Sequence, residues 1–222
     1  MDLRRNEKGQ ERCLIVAELS GNHSGFFERA LLLLTAAKWA GADAVKVQMF
    51  KPEQLTLRRQ DAAFRVPDGL WKGRTLFDLY QRAATPYEWV PVLKQVAEQL
   101  GLLFFTSVYD PETVQIARDM GIDVLKIASY ELDYTELLEA VAKSGAAVLM
   151  STGNHDFPAI YRAKETLRPA RKRLWLLHCV SAYPTPPDQA NLMTLLDLSR
   201  YVQGRVGLSD HSPGIAVPIA SV

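Results

Sequence analysis

Short apolar runs rich in β-branched residues alternate along this chain with longer segments of helical period. The strand-like runs are Leu14–Glu18, Ala44–Met49, Leu103–Ser107, Val124–Ala128, Ala147–Met150, Leu174–Val180 and Val206–Leu208. Between them the spacing of apolar positions predicts helices over Phe26–Ala40, Tyr87–Leu100, Pro111–Met120, Tyr134–Lys143, Pro158–Leu167 and Asn191–Tyr201, with a last helix beginning at Pro213–Val222. Glycines close several of them, at Ala40-Gly41, Leu100-Gly101, Met120-Gly121 and Ser144-Gly145, as expected near helix C-termini. Strand–helix alternation of this kind is the signature of βαβ units and a parallel sheet.

Two architectures suit that alternation, an open doubly wound sheet and a closed eight-stranded barrel. Polar residues at the strand ends favour the barrel. They are Glu18, Lys46 and Gln48, Thr106 and Ser107, Lys126 and Ser129, Ser151 and Thr152, Ser181, then Ser209, Asp210 and His211. A barrel converges C-terminal strand ends on one mouth, whereas an open sheet spreads them along an edge. The expectation is therefore an α/β chain, a (β/α)8 TIM barrel truncated after the seventh strand. The stretch from Phe50 to Pro86 is long for a connection and reads either as a lid or substrate wall, or as a surface excursion.

Composition adds bounds. A chain of 222 residues that is 48% hydrophobic can bury one sizeable core. The expected division is a polar lead-in at 1–13 and one barrel domain at 14–222. A formal net charge of +1 gives no electrostatic reason to expect nucleic acid or an anionic membrane as partner. The opening MDLRRNEKGQER lacks the apolar core of a signal peptide, and no apolar run approaches the roughly 20 residues of a membrane span. The chain reads as cytoplasmic, with Cys13 and Cys179 as reduced, buried thiols.

The chemistry starts with Lys46 in AVKVQ and Lys126 in VLKIAS, each set in an apolar strand pattern. An unpartnered ammonium there would cost several kcal/mol. Either an anionic ligand lies between the two lysines, or each pairs with an acid such as Glu18 or Glu131. The hydroxyls of Thr106, Ser107, Ser129, Ser151, Thr152, Ser181 and Ser209 suggest a polar cup for a multi-oxygen anion, with the Ser151-Thr152-Gly153 turn adding backbone N–H groups. Taken singly, each is equally a strand-end residue or helix cap. Glu18 is placed to act as a general base or metal-linked acceptor, or simply to form a salt bridge with Lys46 or Lys126. His211 is positioned to bind a divalent metal. His23 and His155 read as loop residues near the mouth, and His178 as a strand histidine of unresolved facing.

Several runs together resemble the bacterial sialic acid synthase and pseudaminic acid synthase family. They are VAELSGNHSG, GADAVKVQMFKPEQL, TLFDLYQRAATPYEW, LKIASYE, LMSTGN, HCVSAYPTPPDQANL and VGLSDHSPGIAVPIA, in family order. The resemblance implies a (β/α)8 barrel followed by an antifreeze-like domain, working as a homodimer. It implies a transferase that joins C3 of phosphoenolpyruvate to the aldehyde of an open-chain N-acetylated amino sugar, after which water attacks C2 and phosphate leaves by C–O cleavage. Carried onto this chain, it implies a phosphoenolpyruvate site of Lys46, Ser107, Lys126, Ser129, Ser151, Ser181 and Ser209. It makes Glu18 the acid near the reacting carbons and turns Gln48 and Tyr183 toward the sugar. His211 becomes one of two histidines holding manganese or magnesium.

There are departures from the family pattern. Ser107 replaces a common threonine, Ser181 an asparagine, and Tyr130 a glycine. The forms KIASYE, CVSAYP and DLYQRAATP lean toward pseudaminic acid synthases. The family's eighth strand, with its second histidine, and the antifreeze-like domain have no counterpart in the 222 residues. A non-catalytic remnant that binds phosphoenolpyruvate or sugar is thus an alternative. A synthase using an aldose phosphate is another, although it would call for arginines that the strand ends do not offer.

Overall fold

A computed structural model describes residues 12–69, 71–202 and 205–222, so the expected lead-in lies outside the described residues except for Arg12 and Cys13. The chain packs as two compact units, one of Leu14–Ile122 and one holding Asp123–Val222. Each is a run of β/α repeats.

The first unit comprises β1 (Val16–Glu18), α1 (Phe27–Trp39), β2 (Ala44–Gln48), α2 (Leu76–Ala83), α3 (Val90–Gln99), β3 (Leu103–Ser107) and α4 (Pro111–Asp119). Its strands pair in parallel in sequence order, with Glu18 opposite Lys46 and Gln48 opposite Ser107. Ala44, Val45 and Val47 are all buried, so β2 is covered on both faces, as parallel strands between helices must be. Helix α1 buries Ala30, Leu34 and Ala37, and α3 buries Val90, Leu93 and Ala97, a stripe at helical spacing against the sheet. The Asp110 carboxylate caps α4 by accepting the Thr113 N–H at 2.7 Å, with Pro111 in the first turn where no amide hydrogen is needed.

The long 50–86 segment is built into this unit. It holds short 3-10 turns at Pro52–Gln54 and Ala62–Phe64, then α2. Phe77 is buried, and Thr85 donates its N–H to the Gln48 carbonyl at 3.0 Å, which returns the segment to the end of β2. Near its other end the Gln54 amide bonds to Asp110 and Thr113, at the start of α4.

The second unit comprises β4 (Val124–Ile127), α5 (Thr135–Lys143), β5 (Ala147–Ser151), α6 (Phe157–Thr166), β6 (Leu174–Cys179), α7 (Thr194–Val202), β7 (Val206–Ser209) and α8 (Ala216–Ala220). Its strands are again parallel and sequential, pairing Lys126 with Leu149, Ser151 with Leu177, and Cys179 with Ser209. Gly121 and Gly145 take φ of +70° and +78°, the left-handed turn that ends α4 and α5 at almost no steric cost to glycine. Helix α6 begins at Phe157, one residue earlier than the pattern predicts, because Asp156 caps it through the Ala159 N–H at 2.9 Å.

All seven expected strands are present, each shifted by no more than two residues. The cysteine expectation needs correcting. Cys179 is buried, but Cys13 is exposed: it precedes β1 and gains no cover from the helices; the two are not joined in a disulfide.

Leu125 is fully buried on β4, whereas Leu32 on α1 is 69% exposed. Leu125→Ala should lower stability by about 2–5 kcal/mol in urea unfolding, and Leu32→Ala should change it by less than about 0.5 kcal/mol.

Candidate functional site at the strand ends

In the first unit the parallel register sets Glu18 beside Lys46 on neighbouring strands, and the two form an ion pair. Lys46 is only 6% exposed and also donates to Ser107 Oγ at 2.9 Å. Glu18 Oε1 accepts the Ser20 N–H at 2.8 Å, which fixes the carboxylate. Of the two sequence readings of Glu18, the salt bridge to Lys46 is therefore realised. Gln48 closes β2 opposite Ser107 and is half-buried.

Thr106 does not join this set. Its hydroxyl is buried beside the Val47 carbonyl (3.2 Å) and the Ser107 carbonyl (2.9 Å) and accepts the Met49 N–H (3.1 Å). Strand alternation puts it on the face opposite Ser107. Thr152 is lost from the expected cup in the same way, since its hydroxyl donates to the Leu177 carbonyl at 3.1 Å.

His23, expected in a loop near the mouth, lies in the turn after β1, where it is 1% exposed and packs edge-on to Trp89 at 5.4 Å. Burial lowers its pKa, and its Nδ1 accepts the Gly25 N–H at 3.0 Å. The chain can approach so closely here because residue 21 is glycine: a Cβ there would lie 2.7 Å from the Ala83 Cα.

The second unit brings together a larger set. Lys126, 7% exposed, donates to Ser151 Oγ at 2.8 Å. Ser129 Oγ accepts the Gly153 N–H at 3.1 Å. A Cβ on Gly153 would lie 2.5 Å from Ser181 Oγ, 2.7 Å from the Cys179 carbonyl and 2.9 Å from Ser129 Oγ, so three oxygens crowd one bare Cα. Ser209 ends β7 opposite Cys179. A cavity of about 660 Å³ opens beside Tyr130, Gly153, Cys179 and Ser181.

His211 is gripped by the loop that follows β6. Its Nδ1 donates to the Val180 carbonyl at 3.0 Å, its own carbonyl accepts the Thr185 N–H at 2.9 Å, and the exposed Tyr183 ring lies 4.1 Å from its ring. Cys179 Sγ is 3.9 Å from the same Nδ1. Burial by itself would push the thiol up. The hydrogen bonds from His211 and Ser129 and the His211 charge outweigh it and bring the Cys179 pKa down to about 7. Burial likewise pulls His211 down, but the bonds to Cys179 and Val180 prevail and raise it.

The donor set for a metal is incomplete. The Val180 carbonyl orients Nδ1, so Nε2 would be the nitrogen to meet a metal, an arrangement that suits a ligating histidine. Yet no group of three or more His, Cys, Asp or Glu side chains able to hold an ion occurs among the described residues. His155 and His178 are held otherwise: His155 Nδ1 lies 3.0 Å from the Gly153 carbonyl, and His178 Nε2 donates to the Ala190 carbonyl at 2.7 Å.

Sequence reasoning did not single out Cys179 as a site residue, and of Gly153 it used only the backbone N–H of the Ser151-Thr152-Gly153 turn, which the structure commits to Ser129 Oγ. Cys179 carried the same signal as its neighbours, a polarisable side chain at a strand end, but was read as a core thiol. The crowding around Gly153 has no sequence signature beyond the Ser-Thr-Gly turn.

The NeuB family model matches residues 33–222. The chain is 36% identical over 218 residues to pseudaminic acid synthase of Campylobacter jejuni strain 81-176, covering 98% of this chain and 64% of that one. It is 34% identical to pseudaminic acid synthase of Helicobacter pylori, covering 92% and 61%. The chain thus spans less than two thirds of the length of these relatives. A crystal structure of N-acetylneuraminic acid synthetase from Leptospira borgpetersenii in complex with citrate superposes with a TM-score of 0.85 at 29% identity, over 96% of this chain and 70% of that one. The fold is accordingly the (β/α) barrel type expected, represented here by seven strands.

Gly153→Ala should destabilise the protein by about 1–3 kcal/mol, the usual cost of overpacking, because its Cβ meets backbone as well as side chain. Thermal unfolding checks this. Alkylation of Cys179 by iodoacetamide, followed by mass spectrometry, should accelerate with a midpoint near pH 7. His211→Ala removes the donor and leaves burial dominant, so the midpoint should move toward or above the ordinary 9.0 of a thiol.

Proposed function

The chain belongs to the NeuB family, and we propose that it carries the phosphoenolpyruvate-binding and condensing part of a nonulosonic acid synthase. The observation that supports this most directly is the Lys126–Ser151 pair at 2.8 Å, with Ser129, Ser181 and Ser209 at neighbouring strand ends of the same unit. A nearly buried ammonium among uncharged hydroxyls is a site for a multi-oxygen anion. The family resemblance assigns Lys46 and Ser107 to the same substrate. The citrate complex of the Leptospira relative is in keeping with a polycarboxylate or phosphate ligand.

In the proposed reaction, C3 of phosphoenolpyruvate attacks the aldehyde of an open-chain N-acetylated amino sugar. Water then adds to C2 and the C2–O bond breaks, releasing inorganic phosphate. Lys126 and the serine hydroxyls hold the phosphate and carboxylate and stabilise the charge that the leaving phosphate carries away. Glu18, fixed by Ser20 and Lys46, handles a proton at the water or the new hydroxyl. Gln48 and Tyr183 are assigned to the sugar. The pseudaminic acid synthases among the relatives support the leaning toward pseudaminic acid synthesis. Manganese or magnesium is proposed with His211 Nε2 as one ligand. One nitrogen does not make an ion site, so the chemistry assigned here rests on the chain's own side chains. A homodimer working in the cytoplasm completes the reading.

The direct test is release of phosphate from phosphoenolpyruvate in the presence of an N-acetylated amino sugar, with oxygen-18 in the bridging position. C–O cleavage delivers the label to phosphate. Binding of phosphoenolpyruvate with no release would reduce the reading to a binding role. Lys126→Ala should weaken phosphoenolpyruvate binding by about 2–5 kcal/mol in calorimetry, as for loss of one partner of a buried charge pair; unchanged affinity would remove Lys126 from the site.

A further inference from the structure

Most of the wall of the 660 Å³ cavity has no part in the reaction as described. Every residue lining it belongs to the second unit. It runs from Gly153 and Ser181, which border the lysine and serine cluster, to Ile160 in α6 and Thr194 at the start of α7. Strand alternation puts His178 on the opposite face of β6 from Cys179, and both line the cavity, so it spans the two faces of the strand end. Its volume lies within the roughly 300–1,000 Å³ of small-molecule sites.

The charges around it exclude a second anion. No lysine or arginine is among the described residues that line it. Its one carboxylate, Asp156, caps α6 by accepting the Ala159 N–H at 2.9 Å. A phosphate entering here would meet that negative charge with no cation to offset it. The cavity suits an uncharged part of a ligand.

The neutral groups define which part. His178 is 6% exposed, and its Nε2 donates to the Ala190 carbonyl at 2.7 Å. That leaves Nδ1 as the acceptor nitrogen of the neutral ring, without a hydrogen-bond partner among the described residues. The Thr194 hydroxyl likewise has no partner among them. Ile160, 4% exposed, supplies apolar wall together with Phe157 and Ala182. A buried acceptor left without a donor is costly, so a ligand that brings one gains accordingly. One small group answers all three features: an N–H for His178, a carbonyl oxygen for Thr194 and an alkyl end for Ile160.

We propose that this cavity binds the acylamino substituent of the acceptor sugar, with His178 Nδ1 accepting its N–H, the Thr194 hydroxyl donating to its carbonyl oxygen, and Ile160 limiting the length of its acyl chain. This rests on the phosphoenolpyruvate site proposed above, from which Gly153 and Ser181 lead into the cavity. A sugar whose aldehyde meets bound phosphoenolpyruvate thereby has its remote substituent held in the same unit. An unacylated amino sugar has neither the carbonyl nor the alkyl group, and it carries a positive charge toward an apolar wall.

Saturation-transfer NMR in the presence of phosphoenolpyruvate tests this, with N-acetylmannosamine, N-butanoylmannosamine and mannosamine as probes. On the wild type the acetyl methyl should receive more saturation than any ring proton, and N-acetylmannosamine should bind more tightly than the other two. Ile160→Ala lengthens the cavity and should reverse the order of the two acylated sugars, a gain that damage to the fold does not produce. Thr194→Val should weaken N-acetylmannosamine about two- to tenfold, the effect of one hydrogen bond, and Thr194→Ser should restore it.

Phosphoenolpyruvate bound, but with an acetyl methyl no more saturated than the ring protons, would overturn the proposal and leave the anion site standing. The same holds if mannosamine binds as tightly as N-acetylmannosamine, if none of the sugars binds, or if folded Ile160→Ala keeps the wild-type order. If Ile160→Ala does not fold, the wild-type saturation pattern and Thr194→Val decide. No binding of phosphoenolpyruvate by the folded wild type in calorimetry is a different failure, since it removes the reading on which the proposal rests.

Discussion

Two ammonium groups buried at strand ends set the terms for the rest of this structure. Lys46 and Lys126 are each under a tenth exposed and stand in strands whose neighbours are alanine, valine, leucine and isoleucine. A charge cannot stay there unless other groups replace the water it has lost. The two units solve the problem differently. Around Lys46 the chain supplies a formal counter-charge, Glu18, placed by parallel register and held by the Ser20 amide. Around Lys126 it supplies the Ser151 hydroxyl at 2.8 Å. The first arrangement is an ion pair, and the second is a hydrogen bond to an uncharged hydroxyl.

The hydroxyl groups follow the same division of labour. Ser107 and Ser151 face their lysines, while Thr106 and Thr152, one residue away, turn to backbone carbonyls. A strand offers successive side chains to opposite faces, so adjacent hydroxyls cannot both serve one ligand. The tight turn at Gly153 extends the set by bringing Ser129, Ser181 and the Cys179 carbonyl around one Cα, a convergence that any side chain at that position would disrupt. The Cys179–His211 contact adds a second polar centre, in which each partner shifts the other's proton affinity against the effect of burial.

The sequence by itself determined the order and kind of elements, because strand and helix differ in the period at which apolar residues must recur, and that period is local. Seven strands and their intervening helices were legible, as were Lys46, Lys126 and the serines, since a charge in an apolar run is conspicuous. The ordered motifs also made the family legible, and the match over residues 33–222 agrees. What the sequence could not carry was any fact about distance between residues far apart in the chain. His23 reads from the sequence as a loop residue near the mouth, and only the packing of that loop against Trp89 and Ala83 shows it buried. Cys13 reads as buried because it adjoins an apolar run, but the cover that buries a strand begins later. That Glu18 answers Lys46, which of two neighbouring hydroxyls faces a lysine, and why residue 153 must be glycine were decided by register and close approach. Those are properties of the folded chain, because the side chains that meet at the strand ends come from separate β/α repeats.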